Sequence, residues 1–240
     1  MKNVKMTIWL LIISWVCFFN LPKAMGTLYD DGLTHNIITN FYNQIEIRDS
    51  FFGGVTKLNL LPGGLIYDVK VYDNSLLDVS GGESNNGIEA YNSSKVYISS
   101  GGIPSYHSLK AYDSSSVYMT GGGIGYETAT GSGILYAYDN SNVYISGGYI
   151  NGGVRAFSGS TVTFIGADFI FGGVSVNYGE YDTNGQDSVQ APISWSLPNG
   201  DTFSYNVIFY EGATVVLAEV PEPATLLLFS LGGLFLRKRR

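Results

Sequence analysis

Residues 135–148 read LYAYDNSNVYISGG. In isolation this stretch suits a ligand loop, with Asp139 and the Asn side chains offering oxygens to a metal and the Tyr rings offering faces to a sugar. It is not isolated. VKVYDNSLLDVSGG (69–82), IEAYNSSKVYIS (88–99), LKAYDSSSVYMTGG (109–122) and VRAFSGSTVTFIG (154–166) align with it position by position. An aromatic anchor recurs at Tyr72, Tyr91, Tyr112, Tyr138 and Phe157, every 19 to 26 residues, and a Ser follows three places after each. Apolar residues alternate on both sides of the anchor, as in Leu135/Ala137 before it and Val143/Ile145 after it. Gly pairs close the units at Gly81-Gly82, Gly101-Gly102, Gly121-Gly122 and Gly147-Gly148. A period this regular marks a stacked repeat architecture.

Within a unit, strict alternation predicts two short, half-buried strands separated by an Asp/Asn-x-Ser turn. A unit of about 20 residues with no helical period fits one rung of a solenoid. The expected fold is therefore all-β, a parallel β-helix in which equivalent strands stack about 4.8 Å apart. A right-handed, three-sided winding is expected, although the repeat does not set the hand; the competing fold, a β-sandwich, would not need register-matched units. Differences in unit length fall between a Gly pair and the next strand, which places the loops along one edge.

Fainter copies extend the series. Residues 207–217 align with 154–164 without a gap, 173–177 repeat the opening strand at 153–157, and 45–50 form a degenerate first unit. Residues 178–206, with Pro192, Trp195 and Pro198, interrupt the pattern. The expected organisation is a signal peptide at 1–26, an N-terminal cap at 27–44, repeats at 45–177, an excursion or cap segment at 178–206, a last rung at 207–220 and a sorting tail at 221–240.

Composition agrees with a turn-rich β protein: only 14% of residues are charged, against 31 Gly and 18 Tyr. The net charge of −7 is unevenly spread. Lys2, Lys5, Lys23, Arg237, Lys238, Arg239 and Arg240 sit at the ends, leaving 6 basic against 20 acidic residues in 27–236, a net of −14. Phosphate backbones would repel such a body, so no nucleic-acid partner is expected.

Both ends read as addresses. A short basic start, an apolar run over 6–21 and the small residues Ala24 and Gly26 form a secretory signal with cleavage expected after Gly26. Cys17, the single cysteine, would leave with it, which excludes disulfides, Cys-based zinc sites and thiol catalysis from the exported body. At the other end Pro221-Glu222-Pro223 precedes an apolar run over 224–236 and the cluster Arg237, Lys238, Arg239, Arg240. Basic residues after an apolar run keep that end in the cytoplasm. The run is short: as a helix it spans about 20 Å, against roughly 30 Å of hydrocarbon.

This tail resembles the PEP-CTERM sorting signal of exported proteins from Gram-negative bacteria that make extracellular polysaccharide. The resemblance implies that an exosortase in the inner membrane recognises Pro221-Glu222-Pro223 and cuts nearby. An N-terminal signal helix and a C-terminal apolar helix are expected to flank the body. The resemblance also implies a precursor held transiently in the inner membrane by the C-terminal tail, then display at the cell surface or in the extracellular matrix. The body resembles the Gly-rich β-helical repeats of bacterial surface proteins, autotransporter passengers and other PEP-CTERM proteins.

Three sets of residues bear on chemistry. Asp73, Asn92, Asp113 and Asp139 form a column; stacked carboxylates can hold calcium, but Asp or Asn before Ser more often closes a corner as an Asx-turn. Tyr97, Tyr118 and Tyr144 point outward on consecutive rungs, either as a platform for sugar rings or as a stack that stabilises the sheet. A pectate-lyase-like, polysaccharide-degrading reading needs a basic residue to take the proton alpha to a substrate carboxylate, usually beside bound calcium, yet His35, His107, Lys110 and Arg155 form no local constellation of that kind. No catalytic or metal residue and no cofactor is assigned. The expectation is a non-enzymatic structural or adhesive surface solenoid, with a carbohydrate-binding module using the Tyr row as its alternative and a lyase as the lesser one.

Overall fold

The computed structural model describes residues 26–104, 106–125 and 133–220. Ala24 and the rest of the signal up to residue 25, and the sorting tail with Pro221, Glu222, Pro223 and Arg237, Lys238, Arg239, Arg240, lie outside the described residues, as do both expected flanking helices. Within the described residues the chain is a parallel β-solenoid of about 6 turns with no helix.

Three parallel ladders run along it. The first stacks 27–29, 45–47, 69–71, 88–90, 109–111, 135–137, 154–156 and 207–209. The second stacks Thr34–Ile37, Lys57–Leu60, 76–79, 95–98, Ser116–Met119, Asn142–Ile145, 161–164 and 214–217. The third, shorter ladder follows the Gly pairs and includes 65–66, 83–84, 102–103, Gly123–Ile124 and Tyr149–Ile150. Register is in step with the repeat: Val117 lies between Val96 and Val143, and Ala137 between Ala111 and Ala156. Alternate residues therefore enter one continuous core of Val, Ile, Leu and Ala that is closed to solvent from Ile45 to Leu217. Burial of this kind contributes about 25 cal/mol per Å² of apolar surface.

The corner between the first two ladders explains the Asp-x-Ser motif. The N–H of each column Ser donates to the carbonyl of its aromatic anchor, as Ser115 to Tyr112 at 3.0 Å, closing a four-residue turn. The first central residue is left-handed in four units, with φ of 59° at Asp73, 57° at Asn92, 55° at Asp113 and 54° at Asp139. Asp and Asn tolerate that region better than other side chains. In the fifth unit the left-handed position moves one place on to Gly159, φ 85°, which is why Ser158 replaces the Asp.

The two ends differ. At the N-terminal end Thr27 and His35 stand where the ladders above carry Ile45 and Leu58, so the terminal layer is part polar, beside Tyr29 and the buried Ile37. His35 bonds to Asp31 at 2.9 Å and packs on Tyr29. At the other end the chain leaves the repeat. Ser188–Ser196 pairs antiparallel with Thr202–Tyr210, and Gly179–Tyr181 pairs antiparallel with 215–217. These strands terminate the first and second ladders, and Trp195, 2% exposed, fills the end of the core against Phe164, Phe203 and Tyr205.

One repeat-like segment folds differently from expectation. Val174–Ser175 does not join the first ladder under Val154 but turns back antiparallel on Thr161–Phe171, pairing Ser175 with Ile170. Gly172 and Gly173 both have left-handed φ, 59° and 84°, the backbone of a two-residue hairpin turn. The chain reverses before another rung can start.

Candidate functional site: the outer face and the sorting tail

The outward columns form side-chain ladders of three kinds. Tyr97, Tyr118 and Tyr144 stack along the second ladder with ring centroids 4.7 and 4.9 Å apart and planes within 9° of parallel. Tyr118 thus has a ring on both sides. Among the described residues no further ring stacks on Tyr97 or Tyr144, and all three tyrosines are half-buried. Aromatic stacking of this kind stabilises by roughly 0.2–1 kcal/mol per pair.

A longer stack lies at the corner, made by the anchors themselves. Tyr72, Tyr91, Tyr112, Tyr138, Phe157 and Tyr210 follow one another at 4.9, 4.9, 4.9, 4.5 and 4.6 Å. The Arg48 guanidinium closes one end, 4.4 Å from the Tyr72 centroid, a cation–π contact. The aromatic spacing identified these residues as anchors; their continuity as one stack needed the ring planes.

The third column carries charge. Glu89 accepts from Lys110 Nζ at 3.0 Å and from the Tyr91 hydroxyl at 2.8 Å, and Lys70 Nζ lies 3.7 Å from it. Burial alone would raise the Glu89 carboxyl, but the Lys110 and Tyr91 hydrogen bonds and the two ammonium charges hold it below the usual carboxylate range. Lys110 is raised, first by its hydrogen bond to Glu89. Asp68, partly buried beside Glu89, is raised by desolvation and then by that neighbouring charge. Arg155 lies over Tyr136 at 5.6 Å instead of facing an acid.

The Asx column is committed to the backbone. Asn92 Oδ1 accepts the Asp73 N–H at 3.2 Å, Asp113 Oδ2 the Asn92 N–H at 2.8 Å and Asp139 Oδ2 the Asp113 N–H at 3.2 Å. Each side chain thereby ties its rung to the one before. The column Ser hydroxyls are buried; those of Ser94, Ser115 and Ser141 have no hydrogen-bond partner. His35 and His107 do not come together: His35 sits in the terminal layer and His107 in an exposed loop. Gly26, the expected cleavage position, opens the first strand opposite Gln44.

Residues 219–240 match the PEP-CTERM protein-sorting motif. No curated protein and no solved structure matches the chain. The motif implies an exported protein whose membrane-transiting precursor is sorted by an exosortase in a Gram-negative bacterium. The class defined by fold and tail together is an exosortase-sorted β-solenoid.

Proposed function

We propose that this chain is a non-enzymatic scaffold and adhesin of the cell surface or extracellular matrix. On this reading the apolar segment 224–236 holds the precursor in the inner membrane until exosortase cuts near Pro221-Glu222-Pro223, and the solenoid then stays among extracellular polysaccharide. The observation that carries the proposal is the use of the outer face: Tyr stacks, the Glu89 ion pairs and the Asx bonds all join neighbouring rungs to each other. Such a surface serves rigidity and regular display. The carbohydrate-binding alternative would engage the Tyr row through its edges, its hydroxyls and the outer faces of Tyr97 and Tyr144.

Fractionation of producing cells tests the proposal. The expected result is a matrix fraction containing protein that lacks Arg237, Lys238, Arg239 and Arg240 and sediments with polysaccharide. Chain that stays full-length in the inner membrane, or purified protein that depolymerises an acidic polysaccharide, would overturn it. Replacing Tyr97, Tyr118 and Tyr144 together with Ser separates the alternatives, because only a binding role for the row predicts loss of retention while the fold persists.

A further inference from the structure

The strand Thr161–Phe171 outruns the second ladder and carries a bulge. Ala167 faces Ser196 and Ile170 faces Ser194, so three steps on this strand oppose two on the other. Asp168 occupies the bulge with φ 53°, the left-handed value that elsewhere serves the repeat's corner, yet it lies outside the repeat. Bulges re-aim side chains, and a strained residue outside a turn directs attention to what it faces. The reversal at Gly172-Gly173 then brings residues 175–178 back past the bulge, with the Val176 N–H donating to the Phe169 carbonyl at 3.0 Å.

Between bulge and returning chain lies a cleft of about 280 Å³ lined by Asp168, Phe169, Ser175, Val176, Asn177 and Tyr178. Phe169, 2% exposed, forms the apolar floor. Tyr178, 47% exposed, stands edge-on to it with centroids 5.9 Å apart and planes at 85°. Unlike Tyr118, the Tyr178 ring has no parallel aromatic neighbour among the described residues, and close to half of this residue is exposed to solvent, within reach of a ligand in the cleft. Ser196 Oγ donates to Asp168 Oδ2 at 2.8 Å, which orients the carboxylate and leaves Oδ1 available. Tyr181 OH donates to the Asn177 carbonyl at 2.6 Å and fixes that backbone, while the Asn177 amide, the Ser175 hydroxyl and the Tyr178 hydroxyl bond to no other described residue.

We propose that this cleft binds one uncharged pyranose unit of a polysaccharide. Its volume is near the lower end for ligand pockets, roughly 300 Å³, and suits a single ring. An aromatic face beside a carboxylate acceptor and an amide that both donates and accepts matches the C–H face and vicinal hydroxyls of a sugar. No cation lines the cleft, and its one charged lining residue is Asp168; desolvation first, and then the Glu219 and Asp168 charges, push the Tyr178 phenol up. Uronates and other anionic units are therefore excluded by repulsion. The assignment rests on the adhesive reading above and gives it a defined contact away from the Tyr row.

Saturation-transfer NMR on the full-length protein, held in a non-glycosidic detergent, tests it with methyl glucoside, methyl mannoside, methyl galactoside and methyl glucuronide as probes. Transfer to at least one neutral glycoside and none to the glucuronide is expected. Tyr178→Ala and Asn177→Ala should each weaken binding about tenfold, the equivalent of roughly 1.4 kcal/mol. Asp168→Gly should do the same; it relieves the left-handed backbone but loses the Ser196 bond, so a thermal melt of the variant confirms that it is folded before its binding is read. The exposed Tyr67→Ser should bind as wild type. No transfer to any neutral glycoside, equal transfer to the glucuronide, or transfer that survives Tyr178→Ala would overturn the site. Cell fractionation separates this from the parent reading: NMR silence with normal matrix retention sinks the cleft alone, and binding by a chain that never reaches the matrix sinks the surface role alone.

Discussion

Lys110 Nζ lies 3.0 Å from Glu89 Oε1 on the neighbouring rung, and Lys70 approaches the same carboxylate from the rung on the other side. Because the folded state lowers the Glu89 pKa, its contribution is present above the unfolded value of about 4.3 and is lost as pH falls through the lower folded value. Glu89→Gln should therefore reduce the melting temperature at pH 7, by an amount that shrinks as pH falls below the ordinary carboxylate range. The loss should be about 0.5 kcal/mol, since Lys110 is over a third exposed and solvent screens the pair. A melting series against pH, repeated at high salt where the difference should shrink, checks this.

The Gly pairs are where successive rungs come too close for a side chain. A Cβ on Gly101 would collide with the Gly82 carbonyl oxygen, and its φ of 70° disfavours any L residue. Gly101→Ala should cost roughly 2–4 kcal/mol, measured as the shift in denaturant midpoint. Gly173, φ 84° but with nothing within 4 Å of its Cβ, isolates the backbone part: Gly173→Ala should cost about 1 kcal/mol.

The Ser column divides by hydrogen bonding. The Ser75 hydroxyl donates to Asp49 Oδ1 at 3.2 Å, whereas the equally buried Ser115 hydroxyl has no partner. Ser75→Ala should destabilise by about 1 kcal/mol, and Ser115→Ala should be neutral or stabilising because it removes an unsatisfied buried group. Paired denaturation curves decide this; equal losses would show that the Ser115 hydroxyl is satisfied in solution.

In the Tyr row, position sets the energetic effect. Tyr118 touches a ring on each side and Tyr97 on one, so Tyr118→Ser should cost about twice as much as Tyr97→Ser. With roughly 0.2–1 kcal/mol per pair, thermal melts of the two variants resolve the difference. Equal effects would mean that the rings act separately.

At high pH the end of the core should give way through Tyr205. Its hydroxyl donates to the Gly148 carbonyl at 2.7 Å, and burial raises the phenol pKa far above that of free tyrosine. With a raised folded value, the contribution is complete below about pH 10 and is lost as pH rises through the folded value. A phenolate absorbance titration should show a late component that Tyr205→Phe removes. The substitution should also cost about 1 kcal/mol at pH 7 through the lost hydrogen bond.

The repeat was legible because identical spacing demands identical register: Val96, Val117 and Val143 could be stacked from the sequence, and the ladders stack them. The corner was legible as a turn but its bonding was not: an Asx-turn would bond within the unit, whereas Asn92, Asp113 and Asp139 accept from the rung before. What escaped was the form taken by segments that occur once, although 178–206 was set apart as an excursion or cap. The first rung was hidden by Thr27 and His35, polar residues at core positions that look apolar only from the rung above. The terminal hairpin of Ser188–Ser196 with Thr202–Tyr210 has no copy to align with, and Trp195 gave no hint of which gap it fills. Gly172-Gly173 imitates the repeat's Gly pairs in composition, and only φ distinguishes a reversal from a bend. Of the outward Tyr row the sequence showed the column but not the ring tilt, and tilt decides whether faces are open.

Units of 19, 21 and 26 residues stack with unchanged register because each surplus falls in sequence between the third ladder and the next strand of the first. Reach is thereby uncoupled from surface chemistry. Duplicating one unit within the series would lengthen the body by about 4.8 Å, leave both terminal layers as they are and repeat the same outward columns. The architecture behaves as a ruler whose length can be reset by recombination between near-identical units, without redesign of either end.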